Sequence, residues 1–226
     1  MDAVNVSDHA AVAFLDLAGF TALTAVRGDQ EAADLAEQFA ALTTAALGPD
    51  DRLVKTLGDG LLLTSPTAPS ALALVRRVIE LCTHTNRFPV LRGGIHYGPI
   101  VQRHNDIYGH TVNLAARVAE AAVNGQILLT QEVAAAARDE GLTVTEGGPT
   151  RFRNITAPVD VFALDLDCLC PRVDPVCRVL LQPGTAATTI RYQDLDYDFC
   201  SPECAQLFDA SPQIYADAIK CAADGP

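Results

Sequence analysis

The chain has 226 residues, 49% of them hydrophobic, and a formal charge of −12; it can build a core, and the charge argues against nucleic acid or an anionic membrane as partner. No apolar run approaches the ~18 residues of a membrane span, and the start "MDAVNVSDHA" lacks the basic end and apolar stretch of a signal peptide, so the reading is cytoplasmic. A small anionic ligand would need local cations.

In chain order, residues 11–17, "AVAFLDL", read as a strand ending near an aspartate and leading through the glycine turn "AGFT". Apolar residues then recur at helical spacing through Leu35, Phe39, Leu42 and Ala46, and Gly48-Pro49 stops the helix. Residues 52–57 and 61–64 read as a hairpin whose turn, Gly58-Asp59-Gly60, presents an aspartate. Residues 70–82 suit a helix, "LRGGIHYG" a strand, "TVNLAARVAEAA" a helix, "GQILLT" a strand and "QEVAAAARD" a helix, before two closing strands that include "VDVFAL". This order predicts helices packed on a mainly antiparallel sheet, an α/β or α+β sandwich.

Cysteine usage divides the chain. Cys82 stands alone early, whereas Cys168, Cys170, Cys177, Cys200, Cys204 and Cys221 crowd the end, after the acidic, proline-bearing connector "LDLDCLCPRVDP". Clustered thiols in a cytosolic chain read as metal ligands or redox groups rather than structural disulfides. The expected domains are therefore 1–166 and a Cys-rich 167–226.

Asp16 at a strand end and Asp59 at a hairpin tip could meet at one edge of the sheet, where hard oxygen ligands suit Mg²⁺ or Mn²⁺. Alone, each also reads as a cap or an ordinary turn residue. The linked stretches "FLDLAGFT", "VKTLGDG", "LRGGIHYGPIV" and "DIYGHTVNLAARV" resemble the class III nucleotide cyclases over roughly residues 10 to 164. That resemblance implies a ferredoxin-like α+β sandwich converting ATP to 3′,5′-cyclic AMP and pyrophosphate. It makes Asp16 and Asp59 ligands of two Mg²⁺ or Mn²⁺ ions, Arg92 a phosphate ligand, Asn113 the ribose-orienting residue and Arg117 the group that stabilises charge on the α-phosphate. Lys55 and Asp106 match the pair that reads adenine at N1 and N6, a pattern that guanine would meet with two mismatched contacts. In the resembled family Asp16, Asp59 and Arg92 serve one site while the purine readers, Asn113 and Arg117 serve the other, so a homodimer would form two sites and a monomer none. The family's further triphosphate lysine has no clear match here, Arg153 standing nearest to it, and His96, His104 and His110 read as structural or solvent-facing.

In the tail, "VDPVCRV", "YDFCSPECAQLF" and "SPQIYADAIK" resemble the YHS and TRASH group of small metal-associated domains. Cys177, Cys200 and Cys204 have its C-x22-C-x3-C spacing, although Arg178 stands where that group usually has glycine. The resemblance implies a thiolate site that suits tetrahedral Zn²⁺ and also Cu(I), with Cys168 or Cys170 as a candidate fourth ligand. A metal-free module with reduced cysteines is the alternative. Two functional readings follow: an adenylate cyclase, and a metal- or redox-responsive sensor whose cyclase-like domain binds nucleotide but turns over weakly or not at all.

Overall fold

The computed structural model describes residues 8–166 and 172–216. Strand β1 (Asp8–Leu17) is followed by α1 (Phe20–Arg27), α2 (Asp29–Ala46), the hairpin β2 (Arg52–Leu57) and β3 (Gly60–Ser65), α3 (Ala68–Thr83) and β4 (Leu91–Arg103). These strands lie in the order β2-β3-β1-β4, the arrangement of a ferredoxin-like βαββαβ unit. The sheet extends through β6 (Ile127–Thr130), β8 (Val159–Leu164) and β7 (Val144–Thr150). Only the β4–β6 pair among its neighbours is parallel, so the expectation of a mainly antiparallel sheet holds.

The alternation of β1 divides the core into two faces. Ala11, Ala13, Leu15 and Leu17 point toward Phe39 of α2, Val75 of α3 and Val133 of α5 (Gln131–Asp139). Ala10, Val12 and half-buried Phe14 point the other way, toward Ala115 of α4 (His110–Ala121) and Ile107 of β5 (Asp106–Tyr108). One face thus has a full helical layer, and the other a single helix and a short strand. Helix α4 approaches closely because β4 carries glycine beneath it: a Cβ at Gly94 would lie 2.4 Å from the backbone nitrogen of Ala119.

Within residues 8–166, two elements were not expected. Helix α1 occupies what reads as a glycine turn and its first few followers. Thr21, Thr24 and Val26 have modest helix propensity, but Leu23 is fully buried and holds the turn in place. Strand β5 follows a two-residue turn, His104-Asn105, with φ of 49° and 64°, the left-handed pair a tight hairpin requires.

The C-terminal segment forms two short ribbons, β9 (Arg172–Val173) with β10 (Leu180–Leu181) and β11 (Thr188–Tyr192) with β12 (Leu195–Phe199), then α6 (Pro202–Ala210) and α7 (Pro212–Tyr215). Its apolar residues Val176, Val179, Phe199 and Phe208 belong to the same contiguous core cluster as Leu17 and Phe88. It is tied to the loop before β4 by Val90 N–H donating to Arg178 carbonyl at 2.9 Å and Leu180 N–H donating to Phe88 carbonyl at 3.1 Å. Cys168, Cys170 and Cys221, and the join near residue 167, lie outside the described residues.

Candidate active site

The strand register decides which side chains meet. Asp16 is paired with Gly60 on one side and Arg92 on the other, and residues directly opposite in an antiparallel sheet project from the same face. Gly60 leaves room for this carboxylate: a Cβ there would come within 3.4 Å of Asp16 Oδ1. Arg92 donates from Nε and Nη2 to Asp16 Oδ2 at 3.0 and 2.7 Å. Asp59 arrives from the hairpin tip, its carbonyl accepting from Leu17 N–H at 3.3 Å. Burial and then the adjacent Asp16 charge push its carboxyl up to about 6, against the opposing pull of Arg92.

Two crowded carboxylates facing a single guanidinium form an electron-rich, half-buried pair whose repulsion a divalent cation would relieve. Asp16 and Asp59 supply the hard oxygen ligands and open side that Mg²⁺ or Mn²⁺ prefers, so the donor set fits the metals the sequence implies.

A second cluster forms on the same sheet face. Lys55 is opposite Leu62, and Leu62 opposite Phe14, which places the lysine on the thinly covered side. The β4–β5 hairpin folds toward β2, and Lys55 Nζ donates to Asp106 Oδ2 at 2.6 Å. The lysine hydrogen bond, with a further one from Ile107 N–H, holds the Asp106 carboxyl below the usual range.

Asn113 and Arg117 project from α4, Asn113 exposed and Arg117 half-buried. Arg117 is engaged by Glu120, one turn on, at 2.6 Å, so a ligand would have to draw it away from that partner. His96 donates to or accepts from Thr130 Oγ1 at 2.9 Å; burial, and then His110, lower its pKa to about 4. It is neutral near pH 7 and packed within the sheet, as its reading as a structural histidine expects.

The tail cysteines also converge. Cys177 and Cys200 Sγ atoms are 3.4 Å apart and those of Cys200 and Cys204 3.8 Å. With a carboxylate oxygen of Asp174 these sulfurs all lie within 4.8 Å of one another. Asp174 was not singled out in the sequence. The signal for it is its position three residues before Cys177, where Oδ1 accepts from the Val176 and Cys177 N–H groups at 2.8 and 3.1 Å. Its Oδ2 accepts from Cys200 N–H at 2.8 Å, binding the two cysteine-bearing loops together.

Residues 3–164 match the family model described as the adenylate and guanylate cyclase catalytic domain. The pH-sensitive adenylate cyclase MT1302 of Mycobacterium tuberculosis is 34% identical over 176 residues, covering 71% of this chain and 44% of that protein. An adenylate cyclase of Streptomyces coelicolor is 38% identical over 131 residues, 57% of this chain and 34% of its own length. The chain thus spans less than half the length of these curated relatives. The crystal structure of the adenylyl cyclase CyaB from P. aeruginosa superposes with a TM-score of 0.62 at 21% identity, covering 74% of this chain and 97% of that one; at this identity the likeness is one of fold. The matched residues, the relatives and the shared fold together place this chain in the family of adenylate and guanylate cyclase catalytic domains.

Proposed function

We propose that the protein is an adenylate cyclase that forms 3′,5′-cyclic AMP and pyrophosphate from ATP, with two divalent cations per site and sites shared across a homodimer. The observation that carries the choice of ATP is the Lys55–Asp106 hydrogen bond of 2.6 Å. It holds a donor beside an acceptor, the pattern adenine needs at N1 and N6, and guanine would leave both groups mismatched.

Two divalent cations held by Asp16 and Asp59 would lower the pKa of the ribose 3′-hydroxyl and offset charge on the triphosphate. Arg92 would bind phosphate oxygens through Nε and Nη2, the two nitrogens that here donate to Asp16. Asn113 and Arg117 share a face of α4 by their i,i+4 spacing; Asn113 orients the ribose and Arg117 stabilises charge gathering on the α-phosphate. Arg153 has no part in this assignment.

The dimer is supported by the thinly covered sheet face. Leu57, on the same face as Lys55 and Asp16, is 47% exposed, and Tyr108, two residues from Asp106, is 52% exposed. Apolar groups beside polar binding residues suit a surface that a second copy covers.

The test is product formation from ATP and from GTP, with Mn²⁺ and with Mg²⁺, across a dilution series. Cyclic AMP from ATP alone, with specific activity falling on dilution, is expected. No cyclic product from either nucleotide would overturn the proposal in favour of a nucleotide-binding sensor. Asp16→Ala should reduce turnover by about 10²-fold or more.

A further inference from the structure

The thiol cluster does not stand apart from the cyclase fold. Arg27, at the end of α1, has a side chain only 6% exposed, and its Nη2 lies 3.8 Å from Cys200 Sγ. Its Nε is buried with no hydrogen-bond partner among the described residues. A guanidinium held this deeply is costly unless it faces negative charge. Glu31, itself half-exposed, accepts from Nη1 at 2.8 Å; on the Cys200 side neutral thiols supply little, whereas three thiolates around a divalent cation would leave net negative charge facing Nη2.

At the other end of α1, Arg178 covers Gly19, the left-handed residue that opens the helix at φ 69°. A Cβ on Gly19 would meet Arg178 Cγ at 2.5 Å. Arg178 itself is 95% buried in the sense that only 5% of it is exposed, and it adopts φ 60°. A non-glycine residue in that region costs about 1 kcal/mol or more. Glycine would avoid that cost, so the contact of the arginine side chain over Gly19 is made at the expense of local strain. Arg178, Val176 and Tyr215 join Gly19, Asp59 and Arg92 around an open cleft of about 330 Å³, within the size range of small-ligand sites.

We propose that the C-terminal segment is a metal-fastened wall of the nucleotide cleft: a soft divalent cation such as Zn²⁺, held by Cys177, Cys200, Cys204 and Asp174, locks this segment onto helix α1. The three thiols release their protons as they bind the ion, and Asp174 offers its remaining lone pair while its other contacts keep the two cysteine loops in place. Arg27 balances the charge of the loaded site from α1. Both ends of α1 thereby depend on the site, one through Arg27 and the other through Arg178 on Gly19. That the cleft is a nucleotide cleft rests on the cyclase reading; the metal and its grip on α1 do not.

The experiment uses the full chain, stripped of metal under reducing conditions and kept in saturating Mg²⁺ so that the Asp16–Asp59 pair is not left open to the added ion. Titration with Co²⁺ should give a thiolate-to-cobalt charge-transfer band in the near ultraviolet that saturates at one equivalent and is lost in Cys204→Ser. Loading the same wild-type chain with Zn²⁺ should slow amide hydrogen exchange across residues 18–27 by about tenfold or more, an effect absent in Cys204→Ser. Absence of the charge-transfer band would overturn the metal site, as would a disulfide between these cysteines that persists in reductant. A metal that binds at the thiolates but leaves exchange in 18–27 unchanged would overturn the fastening. None of these readouts depends on cyclic AMP formation, so failure here is distinguishable from failure of the cyclase reading.

Discussion

On the proposed adenylate cyclase reading, substrate choice turns on Lys55 and Asp106, which meet at 2.6 Å. Replacing either by alanine leaves a mismatched polar edge on bound adenine, which should lower kcat/KM for ATP by roughly 10- to 100-fold. Exchanging the pair by Lys55→Glu with Asp106→Cys, which turns the donor into an acceptor and removes the carboxylate, should raise the rate with GTP relative to ATP; parallel assays of both nucleotides measure this. His96 makes a second prediction. Its folded pKa of about 4 lies below the ordinary 6.5, so the folded state binds fewer protons than the unfolded one between these values. The neutral form favoured in the fold therefore contributes stability above about pH 6.5, and that contribution is lost as pH falls toward 4, to an extent on the order of 3 kcal/mol at most. Urea unfolding at pH 7 and pH 4.5 should show the loss, and His96→Gln should reduce it. Of the site residues named in the sequence, Asp16, Asp59 and Arg92 come together, as do Lys55 and Asp106. The Arg117–Glu120 contact and the role of Asp174 were not legible, since both depend on side-chain direction and on loops brought together by folding.

Among the elements, α4 depends most on its neighbour strand. Gly94 lies under Ala119 with no room for a Cβ, 2.4 Å from backbone that cannot yield without moving the helix. Gly94→Ala should therefore cost about 1–3 kcal/mol, measured by chemical denaturation. It should also lower turnover more than ATP binding at the adenine pair, because Asn113 and Arg117 ride on the displaced helix while Lys55 and Asp106 do not. Periodicity located α2, α3, α4 and α5 because their buried faces repeat along the chain. It could not locate α1, whose helicity rests on Leu23 and on the segment packed over Gly19. Nor could it locate β5, which has three residues and a turn without glycine.

For the whole molecule, the C-terminal segment completes a cleft that the matched cyclase residues only begin. If the metal site fastens this wall, removing the ion with a chelator specific for soft cations, while Mg²⁺ remains in excess, should raise KM for ATP several-fold with a smaller change in kcat. A steady-state comparison before and after reloading with Zn²⁺ measures it. The sequence by itself determined the sandwich and the uneven placement of the cysteines, which are written in local periodicity and composition, and its resemblance to the class III cyclases singled out Asp16, Asp59, Lys55 and Asp106. Only the tertiary structure decided that Asp16 faces Arg92, that Lys55 reaches Asp106, that Asp174 joins the three cysteines, and that the tail rests on α1. These depend on strand register and on contacts between residues far apart in the chain, which pattern along the sequence does not encode.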